Sequence, residues 1–165
     1  MHERPYEAEA ILQALIAEHP EVLAGGGTDA GSEWLLVKRE AGISSAEDGG
    51  HGWLDHLFLD ADGVPTLVEV KRSSHTRARR EVVAQLLDYA ATAPASWTVE
   101  RLQAWFEDEH APDSAATLAD CGVSDADAFW RRVRTNLAAD RIRLVFVADK
   151  TRRGCGASSS SSTGN

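Results

Sequence analysis

Residues 53–80 read WLDHLFLDADGVPTLVEVKRSSHTRARR, and the fold turns on how this stretch is parsed. Two runs rich in apolar residues, Trp53–Leu59 and Val64–Val70, flank Asp60-Ala61-Asp62-Gly63. That is a hairpin signature, and Gly63 suits the last position of a turn closed by a left-handed glycine. Pairing Asp60 with Val64 sets a register in which Asp55 stands opposite Glu69. Side chains alternate along a strand, so Lys71 emerges on the same face as Glu69, one pleat further on. Two like charges placed opposite each other destabilise a strand pair unless something neutralises them. A divalent cation held between the two carboxylates, with a lysine beside it, would supply that neutralisation.

Taken singly, each residue has a blander reading. A lone Asp or Glu on a strand is more often part of a solvated outer face, and Glu-x-Lys arises by chance in most chains. Context separates this instance from those. Glu69 lies inside LVEV, flanked by apolar residues, as in a central strand buried on both faces. An ionised carboxylate in such a place needs a partner or a metal.

The whole stretch resembles the PD-(D/E)XK nuclease superfamily, whose fold is the restriction-endonuclease-like one. The resemblance rests on Asp55, then thirteen residues, then Glu69-Val70-Lys71, then a helix carrying QLLDY at residues 85–89. In many members a Gln-x-x-x-Tyr on that helix completes the site, here Gln85 and Tyr89. The chain departs from the motif's name at one place, because Leu54 rather than proline precedes Asp55. The likeness is to uncharacterised bacterial members and covers roughly residues 7 to 149.

Bulk properties are compatible with this. A length of 165 residues suits one domain, with residues 1–150 as its body. No apolar run approaches a membrane span, and the N-terminus lacks the basic-then-apolar pattern of a signal peptide. Cys121 and Cys155 lie far apart without zinc-ligand spacing, and the histidines are scattered, which disfavours a zinc enzyme. A cytoplasmic setting without membrane contact is the expectation. The net charge of −9 argues against nucleic acid binding, but its distribution argues back. Residues 69–81 hold five basic residues against two acidic ones, and residues 130–165 hold eight against two. Positive charge is therefore concentrated beside the proposed site and near the C-terminus.

Outward from the hairpin, Tyr6 to His19 reads as an amphipathic helix with Leu12, Leu15 and Ile16 on its buried stripe. Glu9 precedes Leu12 by three residues and Ile16 by seven, so it leans toward the core, whereas Glu7 and Glu18 lie nearer water. Residues 21–32 read as a glycine-rich connection, residues 34–39 as a strand, and residues 40–52 as an acidic loop. Ser73, Ser74 or Thr76 can cap a helix over residues 77–93, with Val82, Leu86 and Ala90 as its core stripe and Val83 and Leu87 widening it. Gln85 and Tyr89 are one turn apart on the edge of that stripe. Pro94-Ala95 is expected to break the helix. Helices follow over 98–109, after Pro112, and from a capping-box-like Ser124-x-x-Asp127 to about Ala138. Residues 142–148 (IRLVFVA) read as a buried strand, and residues 151–165 as a disordered Ser/Gly-rich tail. The superfamily normally continues with a further helix here, which raises the question of truncation after residue 150.

The expected fold is α/β: a central mixed sheet flanked by helices, with the helices of about 97–138 as an inserted layer. The resemblance implies Mg²⁺- or Mn²⁺-dependent phosphodiester hydrolysis, on DNA ahead of RNA, by an endonuclease or exonuclease of repair, restriction or defence. Asp55, Glu69 and the main-chain carbonyl of Val70 would hold the metal, with hard oxygen donors suited to Mg²⁺. Lys71 would act as a point charge, Glu9, Gln85 and Tyr89 would hold these groups, and Arg72, Arg77, Arg79 and Arg80 would steer the substrate backbone. Two alternatives stand beside this: a nuclease fold kept as a non-catalytic binding or assembly module, and an acidic protein-interaction domain. A homodimer or a partner protein is left open.

Overall fold

The computed structural model describes residues 5–26, 33–44, 51–71 and 76–148. Local turn chemistry sets the centre of the fold. Strands β2 (His51–Asp60) and β3 (Pro65–Lys71) form an antiparallel hairpin in which Leu59 faces Pro65 and His56 faces Val68. The Asp60 N–H donates to the Val64 carbonyl at 3.3 Å, the pairing suggested by the sequence. The Asp60 carboxylate then accepts the N–H groups of Asp62 and Val64, at 3.0 and 2.8 Å. Gly63 closes the turn at φ 75°, a left-handed conformation that favours glycine. A side chain there would also meet Val133, whose nitrogen lies 3.1 Å from where a Cβ would stand.

Strand β1 (Trp34–Ser44) pairs antiparallel with β2, and β4 (Arg143–Ala148) pairs parallel with β3. The order β1-β2-β3-β4 is therefore a four-stranded mixed sheet with β3 inside it. Alternation along the strands sends side chains to two cores. On one face Leu36, Phe58, Val68 and Val70 meet Ile16 of helix α1 (Pro5–Glu18) and Leu23 of the 3-10 helix Pro20–Gly26. On the other, Leu35, Leu57, Leu59 and Leu67 join a larger core. That core is covered by α2 (Thr76–Ser96), α3 (Val99–Glu109), α4 (Ser114–Asp120) and α5 (Ala126–Ala138). Fully burying each such Leu or Phe is worth about 1.5–3 kcal/mol, so the double-sided burial of β3 anchors the domain. No described helix is long and apolar enough to cross a membrane.

Several expectations are corrected. β1 runs on to Ser44 and β2 begins at His51, so the ends of the supposed acidic loop are strand. Part of the glycine-rich connection is the 3-10 helix. Helix α2 passes through Pro94 to Ser96. Tertiary anchors outweigh the proline: Ser96 Oγ donates to the Ser44 carbonyl at 2.7 Å and Trp97 Nε1 to that of Gly42 at 3.0 Å. Leu15, Val83 and Leu87 are exposed and Ala90 is half-buried, whereas Ala93 is fully buried. Helix α5 is capped by Asp125, which accepts the Ala128 N–H at 3.0 Å, and not by Ser124. β4 is half-buried rather than buried, as befits a strand at the sheet's edge. Arg72, Ser73, Ser74 and the tail lie outside the described residues.

Candidate active site

The site forms where the hairpin ladder ends. Hydrogen-bonded pairs alternate along an antiparallel ladder, which would next bring Val70 onto Leu54. Instead, the Val70 N–H donates to Asp55 Oδ2 at 2.7 Å, and the Asp55 N–H donates to Glu69 Oε2 at 3.4 Å. Strand β2 turns at this point. Leu54 and Leu57, three positions apart, both enter the larger core, which strict alternation would forbid. Asp55 thus meets Glu69 through its own main-chain N–H while its carboxylate takes the N–H of the next residue, Val70, and Glu69 is only 2% exposed.

Two helices close on them from opposite faces. From α1, Gln13 Nε2 donates to Asp55 Oδ1 at 3.0 Å, and Glu9 Oε1 lies 3.3 Å from Lys71 Nζ. Glu7 and Glu18 are exposed, so among the described glutamates of α1 it is Glu9 that reaches the cluster. Lys71 Nζ also lies 3.9 Å from Glu69 Oε1, on the same side as that carboxylate. From α2, Gln85 Nε2 donates to Glu69 Oε1 at 3.3 Å and to the Tyr89 hydroxyl at 2.8 Å. The Tyr89 hydroxyl makes a long 3.5 Å hydrogen bond to the Trp53 carbonyl. Gly52 permits this approach, because a Cβ on it would stand 2.5 Å from the tyrosine ring.

Electrostatics follow from burial. Burial, then the nearby Asp55 charge, pushes the Glu69 carboxyl up to about 7. Asp55 is also raised by burial, against the lowering effect of its bond from Val70. Burial pulls the Lys71 ammonium down, yet the Glu9, Asp55 and Glu69 carboxylates together outweigh it and the net shift is upward. Without a cation, then, the cluster holds negative charge at a cost.

His56, Gln13 and Gly52 were not picked out from the sequence. His56 is fully buried, and burial drives its pKa down to about 4, so the ring is neutral near pH 7. Its Nε2 lies 2.8 Å from the Gln13 carbonyl, which can only accept, so Nε2 carries the proton and Nδ1 is a bare, unpartnered acceptor. His56 therefore fixes the turn of α1 that carries Gln13. The one available sequence signal was the Glu9–Gln13 spacing, which puts both on one helix face.

The arginines are less engaged. Arg77 and Arg80 are exposed and Arg77 pairs with Glu81 at 3.2 Å. Arg79 is half-buried with an unpartnered Nε. None of the three bonds to Asp55, Glu69 or Lys71, and Arg72 lies outside the described residues.

Among the described residues no three His, Cys, Asp or Glu side chains converge as a ready metal-holding group. The donors present are the buried Glu69 carboxylate and the half-buried Asp55 carboxylate, and Mg²⁺ commonly takes one or two carboxylates and completes its shell with water. The raised pKa of Glu69 is the electrostatic strain that such a cation would relieve, so the residues fit a hard divalent ion. No protein-family model matches the chain, and neither does any curated protein or solved structure.

Proposed function

We propose that the chain is a nuclease of restriction-endonuclease-like fold that hydrolyses phosphodiester bonds of DNA with Mg²⁺. One observation carries the reading: Asp55 and Glu69, both with raised carboxyl pKa values, meet at the end of the hairpin ladder with Lys71 at their side. A fold seeking stability alone would gain little from a carboxylate pair there.

Asp55, Glu69 and the Val70 carbonyl would hold the ion. When bound, Mg²⁺ would neutralise charge on the phosphate and ease deprotonation of an attacking water. The remaining work belongs to the chain. Gln13 and the Val70 N–H hold the Asp55 carboxylate by both oxygens, and Gln85 holds Glu69, so neither must reorganise during reaction. Lys71 presents a point charge to the anion that develops on the phosphate. Glu9 keeps that ammonium charged and oriented. Exposed Arg77 and Arg80 add attraction for a backbone approaching α2.

The test is cleavage of single-stranded, duplex, flapped and mismatched DNA with Mg²⁺ or Mn²⁺, with Lys71→Ala as the control, together with thermal melting in the same salts. A cation bound by the folded state raises the midpoint. Cleavage lost in Lys71→Ala, with a cation-dependent midpoint, is the expected result. No cleavage and no midpoint shift would sink the proposal. A shift without cleavage would favour a non-catalytic binding module, a reading to which the satisfied hydrogen bonds of Asp55 lend some support.

A further inference from the structure

The chain has five tryptophans, and four of them are accounted for by packing. Trp34, Trp97 and Trp130 are buried, and Trp105 is half-buried, edge-on to Trp97 and near Arg101. Trp53 is different, at 65% exposed. Leaving so large an apolar ring in water forgoes burial worth having. We infer that Trp53 is a stacking platform for an unpaired nucleobase beside the scissile phosphate, which makes single-stranded or flapped DNA the preferred substrate over continuous duplex. The inference rests on the nuclease reading and extends it to substrate class.

Three features carry it. First, the ring is placed rather than loose. Trp53 pairs across the sheet with Gly42, and a Cβ on Gly42 would stand 3.6 Å from the ring, so the glycine underlies the indole. Shielding a glycine within a strand pair is a structural use for a tryptophan. That use occupies ring area next to Gly42 and leaves the exposed part of the ring without a task.

Second, Trp53 is tied to the site. Its carbonyl accepts the Tyr89 hydroxyl, Tyr89 accepts from Gln85, and Gln85 donates to Glu69. A continuous set of contacts thus runs from the buried carboxylate to the main chain of Trp53, which fixes the piece of strand that carries the ring.

Third, the spacing suits one nucleotide. Trp53 and Asp55 stand two residues apart on β2, with Leu54 between them in the larger core. Two residues along a strand span about 7 Å, comparable to the separation of a base from its own phosphate. Bases in a duplex are stacked and offer only their edges, whereas an unpaired base offers a free face to an aromatic ring. Stacking tolerates any base, because every base has a π-face.

The test uses the full chain in Mg²⁺ with a single-stranded oligothymidylate bearing hydrolysis-resistant phosphorothioate linkages, and a blunt duplex of equal length. Tryptophan emission and affinity are read for the parent, Trp53→Phe and Trp53→Ala. The single strand should quench part of the parent emission, and that change should vanish in Trp53→Phe. Trp53→Ala should weaken single-strand binding about tenfold, Trp53→Phe less, and duplex binding should stay unchanged in both. Single-strand binding without quenching, or an equal loss for both probes, overturns the inference while leaving the nuclease reading intact. Failure to bind either probe overturns it as well. The metal site is judged separately by the Mg²⁺-dependent melting midpoint, which Trp53→Ala should preserve.

Discussion

Asp55 Oδ2 accepts the main-chain N–H of Val70 at 2.7 Å, in the position where the hairpin ladder would otherwise continue. A side chain has taken over a backbone's role, while the Asp55 main-chain N–H donates to Glu69 Oε2. This substitution makes Asp55 at once a structural acceptor and a candidate ligand, and the two roles respond differently to mutation.

Asp55→Asn separates them. The Asn carbonyl can still accept the Val70 N–H, and Gln13 can rotate its amide to accept from the new NH₂ group. Repulsion with Glu69 disappears at the same time. Urea denaturation in EDTA near pH 7.5 should therefore place the variant within about 1 kcal/mol of the parent. In Mg²⁺ the parent should gain stability and the variant should not. A loss of about 3–5 kcal/mol in EDTA, with no Mg²⁺ gain in the parent, would assign the carboxylate to the fold alone.

Glu69 governs the response to pH. Its folded pKa of about 7 exceeds the ordinary 4.5, so between these values the folded state binds the proton more tightly than the unfolded chain. Its contribution is thus full below about pH 4.5 and is lost as pH rises through 7. His56 works in the opposite sense. Its pKa falls from 6.5 to about 4, so its contribution is present above 6.5 and lost as pH falls through 4. The difference between Glu69→Gln and the parent cancels the histidine. In EDTA that difference should move in favour of the variant by up to about 3 kcal/mol from pH 4.5 to 8. A difference that stays flat across this range would show that Glu69 is not strained.

Gly52→Ala tests the α2 side. The added methyl meets the far end of the Tyr89 ring, which can swing aside, so stability should fall by only about 1 kcal/mol. The hydroxyl would then leave Gln85 and the Trp53 carbonyl. Cleavage should drop by more than the stability change explains, and Tyr89→Phe added to Gly52→Ala should bring little further loss. Fully additive losses in that double-mutant cycle would uncouple Gly52 from Tyr89.

Part of the site is legible in the sequence because its determinants are local. The Asp60–Gly63 turn chemistry sets the pairing register through His56 and Val68, and a period of two along β3 puts Glu69 and Lys71 on one side, but alternation in β2 breaks before it reaches Asp55. The phase of α1 likewise singled out Glu9, since the angle between residues on a helix depends only on their spacing. Phase alone did not say how wide a face would be covered. Leu15, Val83 and Leu87 sit on plausible apolar stripes, yet all three are exposed.

By itself, then, the sequence determined the hairpin and its register, because turns and strand alternation act between near neighbours, whereas Asp55 reaches Glu69 only where that alternation breaks. Only the tertiary structure decided that Gln13 grips Asp55, that His56 is a neutral buried strut, that Gly52 makes room for Tyr89 and that α2 passes Pro94. Each of these depends on two segments distant in the chain arriving at one place, and the energy of that meeting lies in packing and hydrogen bonds that no local pattern encodes.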